Sequence, residues 1–403
     1  MNGEPRAIGG PILTRPFKIF FGIFCLFVLV LGWRLLNGIG SVSALNDGYP
    51  WGIWIAYDVV SGTALACGGY AIALLCYVLN KGKYHSMVRP AILTSALGYT
   101  LAAIAVAFDV GRYWNMWKVP LLWNWNRNSI LLEVALCITA YTAVLWIELS
   151  PVFVERWRDS RSPFLRSVSE RLSPFLQKAL LWFMALGILL PTMHHSSLGA
   201  LMLIAVNKVH QLWYSPLLPL LFLVSSVAMG YAVVVAESVL ASVAFGRERE
   251  SEMLTSLSTV MIGVLGTFLG MRMVDLISRQ RIGLAFAFDF YAAFFWLETA
   301  LFVAAAALLL PREWRRDPGK QFLAALLMVL GGTLYRFDVF LVGFNPGPQW
   351  SYFPSLAEMI LTIGLIAIEL MAYFAIVKRF PVIGGVATAR PPVVATTAAV
   401  TVG

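Results

Sequence analysis

The sequence predicts an all-α integral membrane protein with ten transmembrane helices and both termini in the cytoplasm. Three observations carry this. Of 403 residues, 59% are hydrophobic and 13% charged, with a mean hydropathy of +0.77, whereas soluble domains carry about 25% charged residues. Apolar runs of about twenty residues, the length that crosses a bilayer, occur ten times. Lysine and arginine collect on alternate connections, as they do on the cytoplasmic side of membrane proteins.

Taken in order, the expected spans are 17–36, 51–79, 90–110, 128–150, 175–196, 215–240, 255–277, 284–310, 320–340 and 355–377. The first follows Arg6, Arg15 and Lys18, and no small-residue cleavage site stands behind it, so it reads as a retained span rather than a signal peptide. The second opens with Pro50, Trp51 and Trp54, which suit an interface, and continues through Gly62, Ala64, Ala66, Gly68 and Gly69, which let helices approach closely. With the N-terminus inside, twenty-one of the thirty lysines and arginines fall on the inner side. The chain then divides into a cytoplasmic segment 1–16, a membrane domain 17–380 and a disordered cytoplasmic tail 381–403 of Ala, Val, Thr and Pro. The mass of 44.5 kDa leaves no room for a large soluble domain.

The net charge of +9 is accounted for by these basic connections, and no nucleic-acid motif accompanies it. Cys25, Cys67, Cys76 and Cys137 all lie in spans and form no CxxC pair. They read as buried small residues, and no disulfide, zinc site or iron–sulfur cluster is expected in this chain. Two outer connections stand out: 111–127 is rich in tryptophan and 341–354 in Gly, Pro and aromatics. Both suit an interfacial belt or a docking surface for an extracytoplasmic partner.

A carboxylate in hydrocarbon is costly and usually faces a protein interior. At about 1.5 Å of rise per residue, Asp58 lies roughly 10 Å and Glu133 roughly 7 Å inside the outer ends of their spans. Asp109 and Arg112, His194 and His195, Arg272 and Asp275, and Arg336 and Asp338 close four other spans on the outer side, while Asp289 and Glu358 open two. Deeper or further inward come Tyr99, Glu298, Glu369, Glu148 and Glu237. Acids at successive depths can relay protons; snorkelling at helix ends is the other reading of Glu148 and Glu237. A short echo links the two halves, LLEVAL (131–136) with WLETAL (296–301) and FDV (108–110) with FDV (337–339).

A transmembrane b-type haem needs facing histidines. The four here are His85 and His210 in connections and the adjacent pair His194 and His195, so no haem is expected. The stretch LPTMHHSSLG (190–199) gathers polar donors at one helix end, on the same side as Glu133. A quinone suits such a place: an apolar slot for its tail, a donor for each carbonyl, and an acid to supply protons.

The blocks NDGYPWGIWIAYDVVSGTALACGGYAIA, LGYTLAAIAVAFDVGRYWN, NSILLEVALC, LPTMHHSSLG, LAFAFDFYAAFFWLE and FNPG…YFPS resemble the NrfD/polysulfide reductase membrane-subunit family. The resemblance runs from about Gly9 to Phe380. It is strongest to the HybB branch, the membrane subunits of hydrogenase-2-type nickel–iron hydrogenases. It implies two four-helix bundles with flanking helices, placed in the bacterial inner membrane. It also implies a quinone (menaquinone or ubiquinone) as substrate near the outer surface. Electrons would arrive from a ferredoxin-like iron–sulfur subunit fed by the small and large hydrogenase subunits on the outer face, with proton translocation as a possible coupling. Carried over residue by residue, Glu133, Tyr99 and His194 would serve the chemistry, and Asp58, Asp109, Arg112 and His195 would line the quinone site. Glu148 and Glu237 would belong to a proton path. His195 departs from the family pattern, which has Gln there. Two other function classes fit the composition: a proton-coupled secondary transporter, which the buried acids and faint repeats permit, and a passive anchor for soluble subunits.

Overall fold

The computed structural model describes residues 5–246 and 250–384. Among them, ten helices are long and apolar enough to cross a membrane, and the chain is a multi-pass membrane protein. They are α1 (Arg15–Asn37), α2 (Trp54–Val78), α3 (Gly82–Asp109), α4 (Ile130–Arg158), α5 (Lys178–Leu203), α6 (Leu218–Phe245), α7 (Ser251–Ser278), α8 (Phe290–Leu309), α9 (Pro318–Val342) and α10 (Leu356–Arg379). All ten expected spans are present. The basic connection before α5 is largely helical, because α5 is the membrane part of a helix that begins at Pro163.

The helices start where local chemistry satisfies their first backbone N–H groups. Ser129 caps α4, Asp289 caps α8 and Asp317 caps α9. Ser355 and Glu358 form a capping box at α10. Asp289 and Glu358, two of the outer acids noted in the sequence, are therefore helix caps.

The helix at the centre is α2. Of its most apolar stretch 78% is buried, against 11% for α1. It is not a regular helix: Trp54–Ser61 and Leu74–Val78 are π-helical, with α-helical turns between them and a turn at 66–67. Departures of this kind concentrate at functional sites. The small-residue run does what its composition suggested. A Cβ on Gly98 of α3 would sit 2.6 Å from Ala66 Cβ, and one on Gly230 of α6 would sit 2.6 Å from the Cys67 carbonyl oxygen. Only glycine lets three backbones meet here.

Around α2, helices α3, α4 and α5 pack in chain order, with α3 against α4 and α4 against α5. On its other side α6 packs against α7 and α9, and α8 against α9. The flanking α1 lies along α10. At the face where α1 begins and α10 ends, Arg6 N–H donates to Ile383 O at 3.2 Å and Gly9 N–H to Lys378 O at 3.0 Å. Both ends of the described chain thus lie on one face, called inner below. Val382 and Ile383 are buried, so the packed domain extends past residue 380; the tail from residue 385 lies outside the described residues.

Candidate functional site

Near the middle of α2, α3 and α5, five polar side chains meet in a buried interior. Pro191 lies inside the α5 helix three residues before His194, and both His194 and His195 are fully buried. His195 Nε2 lies 2.8 Å from Cys67 Sγ and 3.2 Å from the Tyr99 hydroxyl. His194 Nε2 lies 3.0 Å from Thr63 Oγ1. The Tyr99 ring meets the ring of Tyr141 on α4 edge-on, centroids 4.6 Å apart.

The network bears on which ring nitrogen of His194 carries its proton. Thr63 donates its one hydroxyl proton to Val59 O at 2.6 Å, so it accepts from His194, whose Nε2 carries hydrogen. At His195 Nε2 the hydroxyl of Tyr99 and the thiol of Cys67 can each donate or accept, so both tautomers of that ring satisfy the contacts. The Nδ1 atoms of both histidines are buried without partners. For a neutral His194 ring, Nδ1 is then a bare acceptor.

Beside this group, on α9, lies a buried cation. Arg336 is 0% exposed. Its Nε donates to Val60 O at 3.0 Å, Nη1 to Gly332 O at 3.2 Å and Nη2 to Phe222 O at 3.3 Å. No carboxylate pairs with it among the described residues. The sequence had placed Arg336 at the end of its span; α9 instead continues through a π-helical turn, Asp338–Val342, which leaves Arg336 well inside. Arg336, Thr63 and Cys67 were not singled out from sequence as site residues. Cys67 had been read as packing, and the signal that could have found it was its spacing of four from Thr63 on one face of α2.

Glu133 stands at the rim. It is exposed in the first turn of α4 and accepts a hydrogen bond from Ser197 Oγ at 2.7 Å. Ser197 follows His194 by one turn of α5, so Glu133 touches the same helix face from outside. Tyr99, His194, His195 and Glu133 therefore share one region.

The other expected residues lie elsewhere. Asp58 accepts from Thr362 of α10 at 3.0 Å, whereas Thr63, five residues on, meets His194 of α5. Asp109 lies near Arg34 and Glu358, and Arg34 itself is held by the carbonyls of Phe108 and Val110. Both acids belong to the α1/α10 side. Arg112 is exposed in the outer connection. Glu237 accepts from Thr94 of α3 at 3.0 Å and from the Tyr373 hydroxyl of α10. A small cavity, about 20 Å³, opens beside it near the inner face, room for about one water. Glu148 lies on the other side, where a Cβ on Gly187 of α5 would be 2.7 Å from its Oε1. Glu148 and Glu237 are not consecutive members of one column.

Outside the spans, His210 stacks on Tyr291, centroids 4.2 Å apart. Burial lowers its pKa below the usual histidine range, and nearby Asp289 offsets part of this. Burial raises the pKa of Tyr49. On the outer surface Trp114, Trp117 and Trp123 are 60%, 63% and 79% exposed.

Residues 41–345 match the family model described as "Polysulphide reductase, NrfD". Over 388 residues the chain is 39% identical to the "Probable Ni/Fe-hydrogenase 2 b-type cytochrome subunit" of Escherichia coli, covering 95% of this chain and 96% of that protein. It is 27% identical over 379 residues to the "Menaquinone reductase, integral membrane subunit" of Nitratidesulfovibrio vulgaris, covering 87% and 86%. It is 22% identical over 371 residues to the "Hdr-like menaquinol oxidoreductase integral membrane subunit" of Archaeoglobus fulgidus, covering 85% and 87%. The first of these names raises a haem, which two histidines would hold by facing across the iron. The residues here do not fit one. His194 and His195 are neighbours on one helix, with centroids 4.8 Å apart at 65°, and their Nε2 atoms are occupied. His210 is stacked in the outer connection and His85 lies at the inner end of α3.

Proposed function

This chain belongs to the polysulphide reductase, NrfD, family, and from that premise we propose that it passes electrons to a membrane quinone. It is the membrane subunit of an oxidoreductase complex in the bacterial inner membrane. In the reading proposed, a ferredoxin-like iron–sulfur subunit docks on the exposed tryptophans of the outer connection and delivers electrons from a nickel–iron hydrogenase heterodimer. The chain has no hydrogenase activity of its own and works without haem. The quinone, menaquinone or ubiquinone, takes up two electrons and two protons and leaves as the quinol.

The observation that carries this reading is the link from the buried Tyr99–His195 and Thr63–His194 pairs, along one turn of α5, to Ser197 and the exposed Glu133. An acid at the lipid-facing rim reaches the substrate and exchanges protons with the outside. Buried neutral donors behind it orient a carbonyl without carrying charge into the hydrocarbon. Arg336 supplies a fixed positive field at the same place, which favours the electron-rich state of the headgroup. The outer aromatic shelf brings the electron donor to the Glu133 end of this region. Proton supply from the inner side would run by way of Glu237 and Thr94 toward Tyr99 on α3, with Glu148 and Tyr141 as a separate branch.

The test is hydrogen-dependent quinone reduction by the assembled complex. Glu133→Gln and Tyr99→Phe should lower it while hydrogen oxidation with a soluble electron acceptor continues. Full quinone reduction by assembled Glu133→Gln complex would overturn the role given to this acid. Transport of a solute by the isolated chain would favour a secondary transporter instead.

A further inference from the structure

Helices α7, α8 and α9 enclose a second polar group that the quinone reading does not use. Arg272 of α7, 3% exposed, pairs through Nη1 with Glu298 of α8, 0% exposed. Trp213 Nε1 donates to the other Glu298 oxygen at 3.1 Å. The Arg272 guanidinium lies over the rings of Phe295 and Tyr335, 4.8 and 5.0 Å from their centroids. Asp338 of α9, also 0% exposed, sits beside Glu298 and Arg272. Neither Asp338 oxygen has a donor, and Arg272 Nη2 and the Tyr335 hydroxyl are likewise unpartnered.

The other ionisable groups nearby are otherwise engaged. Asp275 of α7 is closed off by Arg279 at 2.7 Å. Arg336 of α9 points toward Val60 and Phe222. What remains is one guanidinium between two carboxyls in an interior closed to water. With both acids ionised the group carries one uncompensated negative charge, and neither Asp338 oxygen has a hydrogen-bond donor. A proton between the two carboxyls cancels the charge and supplies the donor that Asp338 lacks, as in other carboxyl pairs that cannot both ionise. The sequence marks the same residues: Glu298 lies in WLETAL and Asp338 in the second FDV, the segments that echo those of Glu133 and Asp109.

We propose that Asp338 and Glu298 share one exchangeable proton, forming a buried proton-binding site in the α7–α9 half, apart from the Tyr99–His195 region. Arg272 and Trp213 hold Glu298 in place, and Asp338 is the arm whose protonation completes the group. The site stands whether or not the substrate of the first region is a quinone.

Infrared spectroscopy of the purified, intact complex in H2O and D2O tests this. A protonated-carboxyl C=O band that moves in D2O should be present at neutral pH, disappear in Asp338→Asn and Glu298→Gln, and persist in Glu133→Gln. Asp338→Glu keeps the acid and should shift the band rather than remove it, which preserves the test should Asp338→Asn fail to assemble. Unchanged spectra in the Asp338 variants would overturn the proposal. So would a higher melting temperature of the wild-type complex in sodium chloride than in choline chloride, since a sodium ion would then occupy the proton's place.

Discussion

Arg336 and Asp338 stand two residues apart on α9 and serve different polar groups. Arg336 Nε donates to Val60 O of α2 at 3.0 Å, whereas Asp338 lies beside Glu298 of α8 and Arg272 of α7. Two residues are about 200° of helical rotation, so one helix carries a cation into one half of the protein and an acid into the other. α9 is the wall between the two interiors and the residue-level connection across it.

Replacing Arg336 by Met should destabilise the protein by about 1–3 kcal/mol for each carbonyl left without a donor. Val60 O and Phe222 O are the two on neighbouring helices. Thermal unfolding in detergent measures this. An unchanged melting temperature would mean that those carbonyls find other donors.

Glu133→Gln should lower quinone reduction by about 10²–10⁴-fold, the range for a positioned general acid. Ser197→Ala removes one hydrogen bond to that acid, worth about 1 kcal/mol, and should lower the rate several-fold only. Equal losses in the two variants would show that Ser197 does more than orient Glu133.

Gly230→Ala puts a methyl group 2.6 Å from the Cys67 carbonyl oxygen. Overpacking of this kind costs about 1–3 kcal/mol, and because the displaced turn also carries Cys67, the His195 contact should loosen with it. The variant should melt earlier and reduce quinone more slowly, whereas Gly263→Ala, where a Cβ meets nothing within 4 Å, should do neither.

His210 gives a pH dependence of definite sign. Burial lowers its pKa in the folded protein, so below the unfolded value of about 6.5 the unfolded chain binds more protons than the folded one. Stability should be full above that pH and fall as pH drops toward the folded value. His210→Gln should flatten the melting temperature over this window; an unchanged slope would assign it to another group.

Much of the architecture was legible because the bilayer imposes one length and one composition on each span, and all ten runs survive as helices. Glu133, Tyr99, His194 and His195 all fall in those runs, and the helices bring them into one region. Two kinds of residue were not legible. Asp58 and Asp109 share the outer half with Glu133, but depth says nothing of rotation about the helix axis; Asp58 turns toward Thr362 and Asp109 toward the Arg34 side. Arg336 looked like the end of a span because hydropathy falls there, whereas the backbone runs on as a π-helical turn whose hydrogen bonds no local pattern announces. His195, a departure from the family pattern, makes the direct contacts to Tyr99 and Cys67.

The pairing of α1 with α10 has a consequence for how the protein is made. α1 is scarcely buried by the helices that follow it, and its main neighbour is α10, more than three hundred residues further along the chain. Arg6 and Gly9 then bond to residues 383 and 378, beyond or at the end of α10. The contact can form only after α10 is made, so α1 should wait in lipid while the helices between are synthesised and then be clasped by α10. A chain truncated before α10 would leave α1 without its mate, an orphan of the kind that membrane quality-control proteases extract.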